Sequence, residues 1–592
     1  MRALIERLSR LQLHVFPRAT KVALVLAAVL SLPALGGGFF GDDYLHLSIL
    51  EGQPAPGTPY SLFRFAGGDP VENRPWIERG PYPWWTLPEL KLSFWRPLSS
   101  ALMVFDHSLF GRNPVPYHAH SILWYLLTVA FAAGVLRHLP GTAGGLALLL
   151  FAAEKTHGFA VTWIANRNAF VATAPALFGL WMHLRWREQG WRPGLPLSLL
   201  GLAVGLTGGE TALGVFAYVG AYELLGSREP LARRARALLP ALLLGVGYLV
   251  MYRALGHGAL GSGTYIDPVA EWHLFLPAAA ARIPALLAGQ FWALPAELWL
   301  FAPHLRPLQV VLGVLALLTV GLLVRAVKPT LSEDEWRQTR WLALGGLLSL
   351  LPVASTFPAG RLLLVPGVGA CAILAILLVG TWRLLPSVRG WRKGLQGGVV
   401  GLMLGLQVLG TGLWVLYPLT LRTTSDATLA SMARMELDEE RLPQQRVVTV
   451  VVSDPVMGLY PPVIRVAQGR TLPKSWLAMS LAPYDHVLHR TGEATLELSV
   501  TQGHFLASEM EQLFRGPAFA MRVGDQVQVN GCRVTVLELD GLFPTRVRFE
   551  FDTSLDDPDL VLLTLRDRTL QRLRPPPVGE RVTLAWQPPF TL

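Results

Sequence analysis

The sequence predicts a mostly α polytopic membrane protein with about eleven transmembrane helices and a C-terminal extracytoplasmic domain of mixed or β-rich character. Three observations predict it. Only 16% of the 592 residues are charged and 52% are hydrophobic, against the roughly 25% charge of an ordinary soluble domain. The apolar residues fall in runs approaching the roughly 20 needed to cross a bilayer. After about residue 420 the composition changes, and 421–592 carry 39 of the 92 charged residues (51 basic, 41 acidic).

The first apolar run, 21–39, follows a basic N-terminal segment, 1–20. No small-residue cleavage site ends that run before Gly41-Asp42-Asp43, so it reads as an uncleaved first helix. A polar stretch rich in Trp and Pro follows at 40–116. Further runs cover 118–136, 141–157, 168–184, 194–209, 211–225, 237–255, 306–327, 341–357, 362–384 and 395–418, which closes a transmembrane domain at 21–418. The segment 271–305 mixes Trp272, Phe275, Phe291, Trp292, Trp299 and Phe301 with four prolines, and reads as short helices lying at the interface.

Charge sets the orientation. Arg2, Arg7, Arg10, Arg18 and Lys21 precede the first run. Four later clusters are Arg185/Arg187/Arg192, Arg228/Arg233/Arg234/Arg236, Arg325/Lys328/Arg337/Arg340 and Arg383/Arg389/Arg392/Lys393. With eleven spans all five share one side, which the positive-inside rule makes the cytoplasm. Loop 40–116 and residues 419–592 then lie outside, in a multi-pass protein of the plasma (inner) membrane. These clusters also account for the net charge of +10 without a nucleic-acid partner.

In the last domain, Arg446-Val-Val-Thr-Val-Val-Val, Val527–Val536 and Arg546-Val-Arg-Phe-Glu-Phe read as strands, and Asn530-Gly531 as a hairpin turn. The stretch 503–514 reads as helical. Cys371 and Cys532 lie in different contexts, so no disulfide and no cysteine metal site is expected.

The chemistry-bearing residues collect at the outer ends of the spans. Asp42 and Asp43 are adjacent carboxylates at a low-dielectric boundary, where each disfavours the other's charge. They suit a general base, a cation site or hydrogen bonding to a polar substrate; the plainer reading is the start of a helix, which favours Asp. His46 adds a polar group within reach. Glu154, Lys155, His157, Arg167, Glu210, Arg253 and Arg361 map to the same side, which suggests one polar chamber, and arginine suits a phosphate there.

Four patches carry a family resemblance. They are Phe39-Phe40-Gly41-Asp42-Asp43-Tyr44-Leu45-His46; Phe94-Trp95-Arg96-Pro97-Leu98 with Leu109–Pro114 and His118; His157, Val161-Thr162-Trp163-Ile164 and Arg167; and Arg361, Pro366 and Gly369. In order and topology the chain resembles the GT-C superfamily of membrane glycosyltransferases, most of all the protein O-mannosyltransferase branch and its tetratricopeptide-bearing relatives. It departs from that pattern at Glu154-Lys155 (often His-Pro), Phe159 (often acidic), Ala169 (often Asp), Gly209 (usually Lys) and Gly360 (usually Glu).

The resemblance implies sugar transfer from a polyprenyl-phosphate-linked donor to a glycan or protein acceptor at the outer face. Asp42 or Asp43 would be catalytic. His46, Arg96, His157, Arg167, Glu210 and Arg361 would bind substrate, with the arginines on the leaving phosphate. Some such enzymes use a divalent cation, for which Asp42 and Asp43 would be the ligands. A non-catalytic GT-C-like protein of envelope assembly is the alternative. A transporter fits less well, because the halves show no internal repeat.

Overall fold

The structure, a computed structural model, describes residues 15–386, 390–452 and 454–588, with Arg392 and Lys393 described by their backbone alone. Arg2, Arg7, Arg10 and Arg389 lie outside the described residues. The chain forms two compact units. One comprises residues up to Gly38, Phe94–Leu255 and Glu271–Leu419; the other comprises Phe39–Ser93, Gly256–Ala270 and Thr420–Leu592.

The first unit is helical. Among its described residues and the start of the second unit, seven helices are long and apolar enough to cross a membrane. They are Phe16–Gly36, Pro114–Leu136, Leu231–Ala254, Trp272–Trp292, Pro303–Thr330, Gly360–Leu384 and Gly394–Ala433. Thr142–Ala152 and Gly194–Gly208 are apolar but shorter. Segment 271–305 differs from expectation: instead of short pieces it contains one continuous 21-residue helix, Trp272–Trp292, despite Pro277 and Pro284. Neighbouring helices let apolar helices tolerate proline. Here Gly313 lies against the backbone of Pro284, so close that a Cβ at 313 would collide with it.

Close approach recurs between Asn168–Gln189 and Gly194–Gly208. Cβ atoms at Gly201 and Gly205 would come within 2.7 Å of the Pro175 and Ala172 carbonyls. Small residues let helix backbones meet where lipid gives no hydrophobic drive to associate.

The basic clusters converge. His138 pairs with Glu188 (3.3 Å), which accepts from the Tyr222 hydroxyl (3.4 Å). Arg187 and His183 both meet Glu223 at 2.8 Å. Arg228 and Arg337 share Asp334 (2.6 and 3.0 Å), and Arg383 grips Glu335 through both terminal nitrogens (2.9 and 3.0 Å). These pairs place the four later clusters at one end of the helical unit. The helices Asn168–Gln189, Leu231–Ala254 and Leu364–Leu384 run from there to Arg167, Tyr252 and Arg361, roughly 30 Å away at about 1.5 Å per residue.

The second unit contains thirteen strands among the described residues. They are β1 (Arg64–Gly67), β2 (Lys91–Ser93), β3 (Gly258–Leu260), β4 (Arg446–Thr449), β5 (Ser475–Ala478), β6 (His486–Arg490), β7 (Thr495–Val500), β8 (Gln526–Val529), β9 (Cys532–Asp540), β10 (Phe543–Phe551), β11 (Leu560–Arg566), β12 (Thr569–Arg572) and β13 (Arg581–Leu584). They make a small sheet β1-β2-β3, an antiparallel sheet β13-β6-β7-β10-β9-β8, and a mixed sheet β12-β11-β4-β5 in which β11, β4 and β5 are parallel. Asn530 and Gly531, both at positive φ, turn β8 into β9 as the hairpin signal predicts. The stretch 503–514 is mostly irregular, with a helix only at Glu509–Gln512 behind the Ser508 capping box. Both cysteines are free and buried.

The boundary drawn at 418/419 leaves out part of this unit. Residues 39–93 and 256–270 fold with the C-terminal region, because Trp84 and Trp85 are buried in its core and donate to the carbonyls of Met479 and Glu511, each at 3.1 Å. Residues 94–116, expected in the same loop, belong to the helical unit instead and include the helix Pro97–Phe110.

Candidate functional site

The end of the helical unit opposite the basic clusters carries four polar constellations. In the first, Arg96 stands before Pro97 at the start of its helix, and its Nε donates to Glu210 at 2.8 Å. The other Glu210 oxygen accepts from the Tyr252 hydroxyl (3.1 Å), and the Arg96 guanidinium lies over the Phe94 ring. In the second, Arg167 is 2% exposed and donates to Asp106 Oδ2 at 2.5 Å; Asp106, 0% exposed, also meets His120 Nδ1 at 2.8 Å. Trp124 Nε1 donates to the other His120 nitrogen at 3.0 Å, which fixes the ring.

In the third, the chain breaks between Thr142–Ala152 and Lys155–Thr162, so Glu154 and Lys155 fall at a helix junction. They face each other at 3.6 Å, both buried. Lys155 Nζ donates to the Gly289 carbonyl (3.1 Å) and to Gln407 Oε1 (3.3 Å), and Gln290 Nε2 donates to Glu154 (3.4 Å). This network ties three helices together. A buried pair of this kind is kept by completing its hydrogen bonds rather than by the pair alone. In the fourth, the Arg361 guanidinium lies over Trp163 (5.1 Å) and Phe357 (5.7 Å). No carboxylate among the described residues pairs with it.

The arginines chosen from sequence are therefore unequal. Arg96 and Arg167 hold carboxylate partners inside their own unit, whereas Arg361 presents an unpaired fork braced by two aromatic faces. Glu210 is the counter-charge of Arg96. His157 is buried against Phe151 and Tyr125, its Nδ1 3.4 Å from the Tyr125 hydroxyl, and is a packed core side chain.

The aspartates belong to the second unit. Gly41, at φ +53°, lets the chain turn directly into the helix Asp42–Leu50. Both carboxylates sit in its first turn, where the helix dipole favours negative charge. Asp43 is 1% exposed and accepts from the Phe40 N–H at 2.9 Å, so it closes its own helix start. Asp42 is partly exposed and accepts from the Tyr460 hydroxyl at 2.5 Å. Burial first, and then the Asp42 charge, hold the Tyr460 phenol well above its usual range, so it stays a protonated donor. His46 is buried with its ring 4.9 Å from Phe63 and 6.4 Å from Phe65, again a packing position.

No protein-family model and no curated protein sequence matches the chain. Among the described residues no three His, Cys, Asp or Glu side chains gather to hold a metal ion. A cation at Asp42 and Asp43 would draw its remaining oxygen ligands from a substrate phosphate and water, as magnesium commonly does.

Sequence reasoning passed over Asp106, His120 and Tyr460. Asp106 had a usable signal, a lone carboxylate within the apolar run Ser100–Phe110. It was hidden because 40–116 reads as one polar loop. Tyr460 lies 418 residues from Asp42 in sequence, and nothing local marks it.

Proposed function

We propose that this chain is a membrane glycosyltransferase of the GT-C type. It would move a sugar from a polyprenyl-phosphate-linked donor to an acceptor hydroxyl at the outer face of the plasma membrane. The proposal includes about eleven crossings, with the basic end of the helical unit in the cytoplasm and the second unit outside. The convergence of the basic clusters supports that orientation.

The observation that carries the reading is Arg361. Its unpaired guanidinium, braced by Trp163 and Phe357 at the far end from the basic clusters, is a ready phosphate fork. In the proposed step the acceptor oxygen attacks the anomeric carbon and the carbon–oxygen bond to phosphate breaks. The polyprenyl phosphate leaves with the bonding electrons, onto Arg361. Asp42, the more accessible carboxylate, takes the acceptor's proton. Arg96 and Arg167 act as positioning residues through Glu210 and Asp106.

A second reading, a non-catalytic GT-C-like protein of envelope assembly, is favoured by one observation: Asp43, Arg96 and Arg167 already have partners inside the protein. Membranes carrying single variants decide between the two. With a radiolabelled polyprenyl-phosphate sugar as donor, transfer should fall at least 100-fold in Asp42→Asn and in Arg361→Ala, with Arg361→Lys intermediate and melting unchanged. Undiminished function of Asp42→Asn and Arg361→Ala in a deletion strain would leave only the assembly reading.

A further inference from the structure

A cleft of about 290 Å³ opens in the second unit beside β1 and the helix Pro70–Arg79, with loop 55–61 along its rim. We infer that this cleft is a binding site for a neutral saccharide. It extends the transfer reading by giving an acceptor a chemical class, and rests on that reading only for the role of acceptor.

The floor is pre-formed. Asn73, buried, donates both amide protons to the carbonyls of Pro88 and Leu90, each at 2.8 Å, and its oxygen accepts from Gly67 N–H at 3.3 Å. Its hydrogen bonds are spent on shape, so the cleft does not collapse when empty. One wall is aromatic: Trp76, over which Arg79 lies at 5.8 Å, and Tyr82, whose hydroxyl is tied to the Phe65 carbonyl. The mouth is polar. Arg64 donates to Glu72 at 2.6 Å, with side chains 42% and 52% exposed. Thr58 and Ser61 hydroxyls pair at 2.8 Å.

The lining selects by exclusion. Arg64 and Glu72 cancel, so neither an anion nor a cation meets a net opposite charge. An apolar side chain seated here would desolvate that ion pair without offering it hydrogen bonds, which is costly. A sugar ring lays its apolar C–H face on an indole while its hydroxyls donate to Glu72 and accept from Arg64. The volume, at the small end of ligand sites, suits one or two rings. Gly67 lies beside the Arg64–Glu72 pair: a Cβ there would displace the ends of both side chains.

The test reads binding alone, on full-length protein in lipid nanodiscs, by saturation-transfer NMR with the methyl glycosides of mannose, glucose and galactose. At least one should bind saturably at millimolar concentration. Trp76→Ala and Gly67→Ala should weaken it about tenfold or more. Glu72→Gln should weaken it several-fold; that side chain is half exposed, so this change leaves folding intact and decides the matter should Trp76→Ala misfold. Asp42→Asn should bind normally, which separates this site from the transfer step. No saturable glycoside, or binding indifferent to both Trp76→Ala and Glu72→Gln, overturns the proposal, as does displacement of the glycoside by inorganic phosphate.

Discussion

Asp106 and Arg167 offer the sharpest test of how the helical unit handles charge. Both are essentially excluded from solvent, at 0% and 2% exposure, and are joined at 2.5 Å. Removing one partner of such a pair strands the other as an uncompensated buried charge, a loss of about 3–5 kcal/mol, whereas replacing both with apolar residues of similar volume is often neutral. Asp106→Leu and Arg167→Met should thus each destabilise by about 3–5 kcal/mol, and the double variant should recover most of that loss. The assay is unfolding of the purified protein in mixed micelles of rising SDS fraction, read as a double-mutant cycle. A double variant whose loss equals the sum of the two single losses would refute the argument. Transfer measured on the double variant then sorts the arginines. Retained activity assigns Arg167 to architecture, and lost activity in a stable double variant makes it a phosphate ligand after all.

Two further predictions concern stability. His486 is buried, accepted by Tyr484 and paired with Ser480, and burial lowers its pKa from 6.5 to about 4. The unfolded chain therefore takes up a proton that the folded unit refuses until about pH 4. The stabilisation is complete above pH 6.5 and is lost as pH falls toward 4, by about 3 kcal/mol. Hydrogen-exchange protection of β6, corrected for intrinsic rates, should fall over that window in the wild type but not in His486→Gln; equal pH profiles would show that His486 is not responsible. In the helical unit, Gly313→Val should force the helices Trp272–Trp292 and Arg306–Val327 apart at Pro284 and cost about 1–3 kcal/mol of overpacking, seen as a lower melting temperature. An unchanged melting temperature would mean the helix pair has room to shift.

What the sequence made legible was what short windows encode. Asn530-Gly531 between β-branched runs gave its hairpin, and β4, β9 and β10 lie where the strand patterns put them. The arginine clusters were recognisable as a set, and their ion pairs gather them. What needed distance in sequence was not legible. Trp84 and Trp85 read only as part of a polar, Trp- and Pro-rich loop, yet their indoles are tied to carbonyls nearly 400 or more residues later. The prolines and aromatics of 271–305 also misled: Trp272–Trp292 is one helix, apolar enough to cross a membrane, despite Pro277 and Pro284.

The candidate site shows the same limit in its charges. A residue type in a run announces that a charge lies near a membrane edge, and says nothing about whether another side chain already neutralises it. In the GT-C pattern that the sequence resembles, charges are usual at the positions of Gly209 and Gly360, so the sequence alone led us to expect family charges left without partners. The structure supplies Glu210 to Arg96 and Asp106 to Arg167 from elsewhere in the chain, while Arg361 lies over Trp163 and Phe357 and pairs with no carboxylate among the described residues. The adjacent aspartates divide in the same way. Asp43 is spent on the Phe40 N–H at its own helix start, while Asp42 is partly exposed beside a hydroxyl that burial keeps protonated. Adjacent residues of a helix are turned about 100° from one another, so the two carboxylates meet different surroundings although they are neighbours in sequence. If transfer is this protein's work, Asp42→Asn should abolish it, whereas Asp43→Asn should act mainly by lowering the stability of the second unit; loss of transfer in Asp43→Asn at unchanged stability would refute that division.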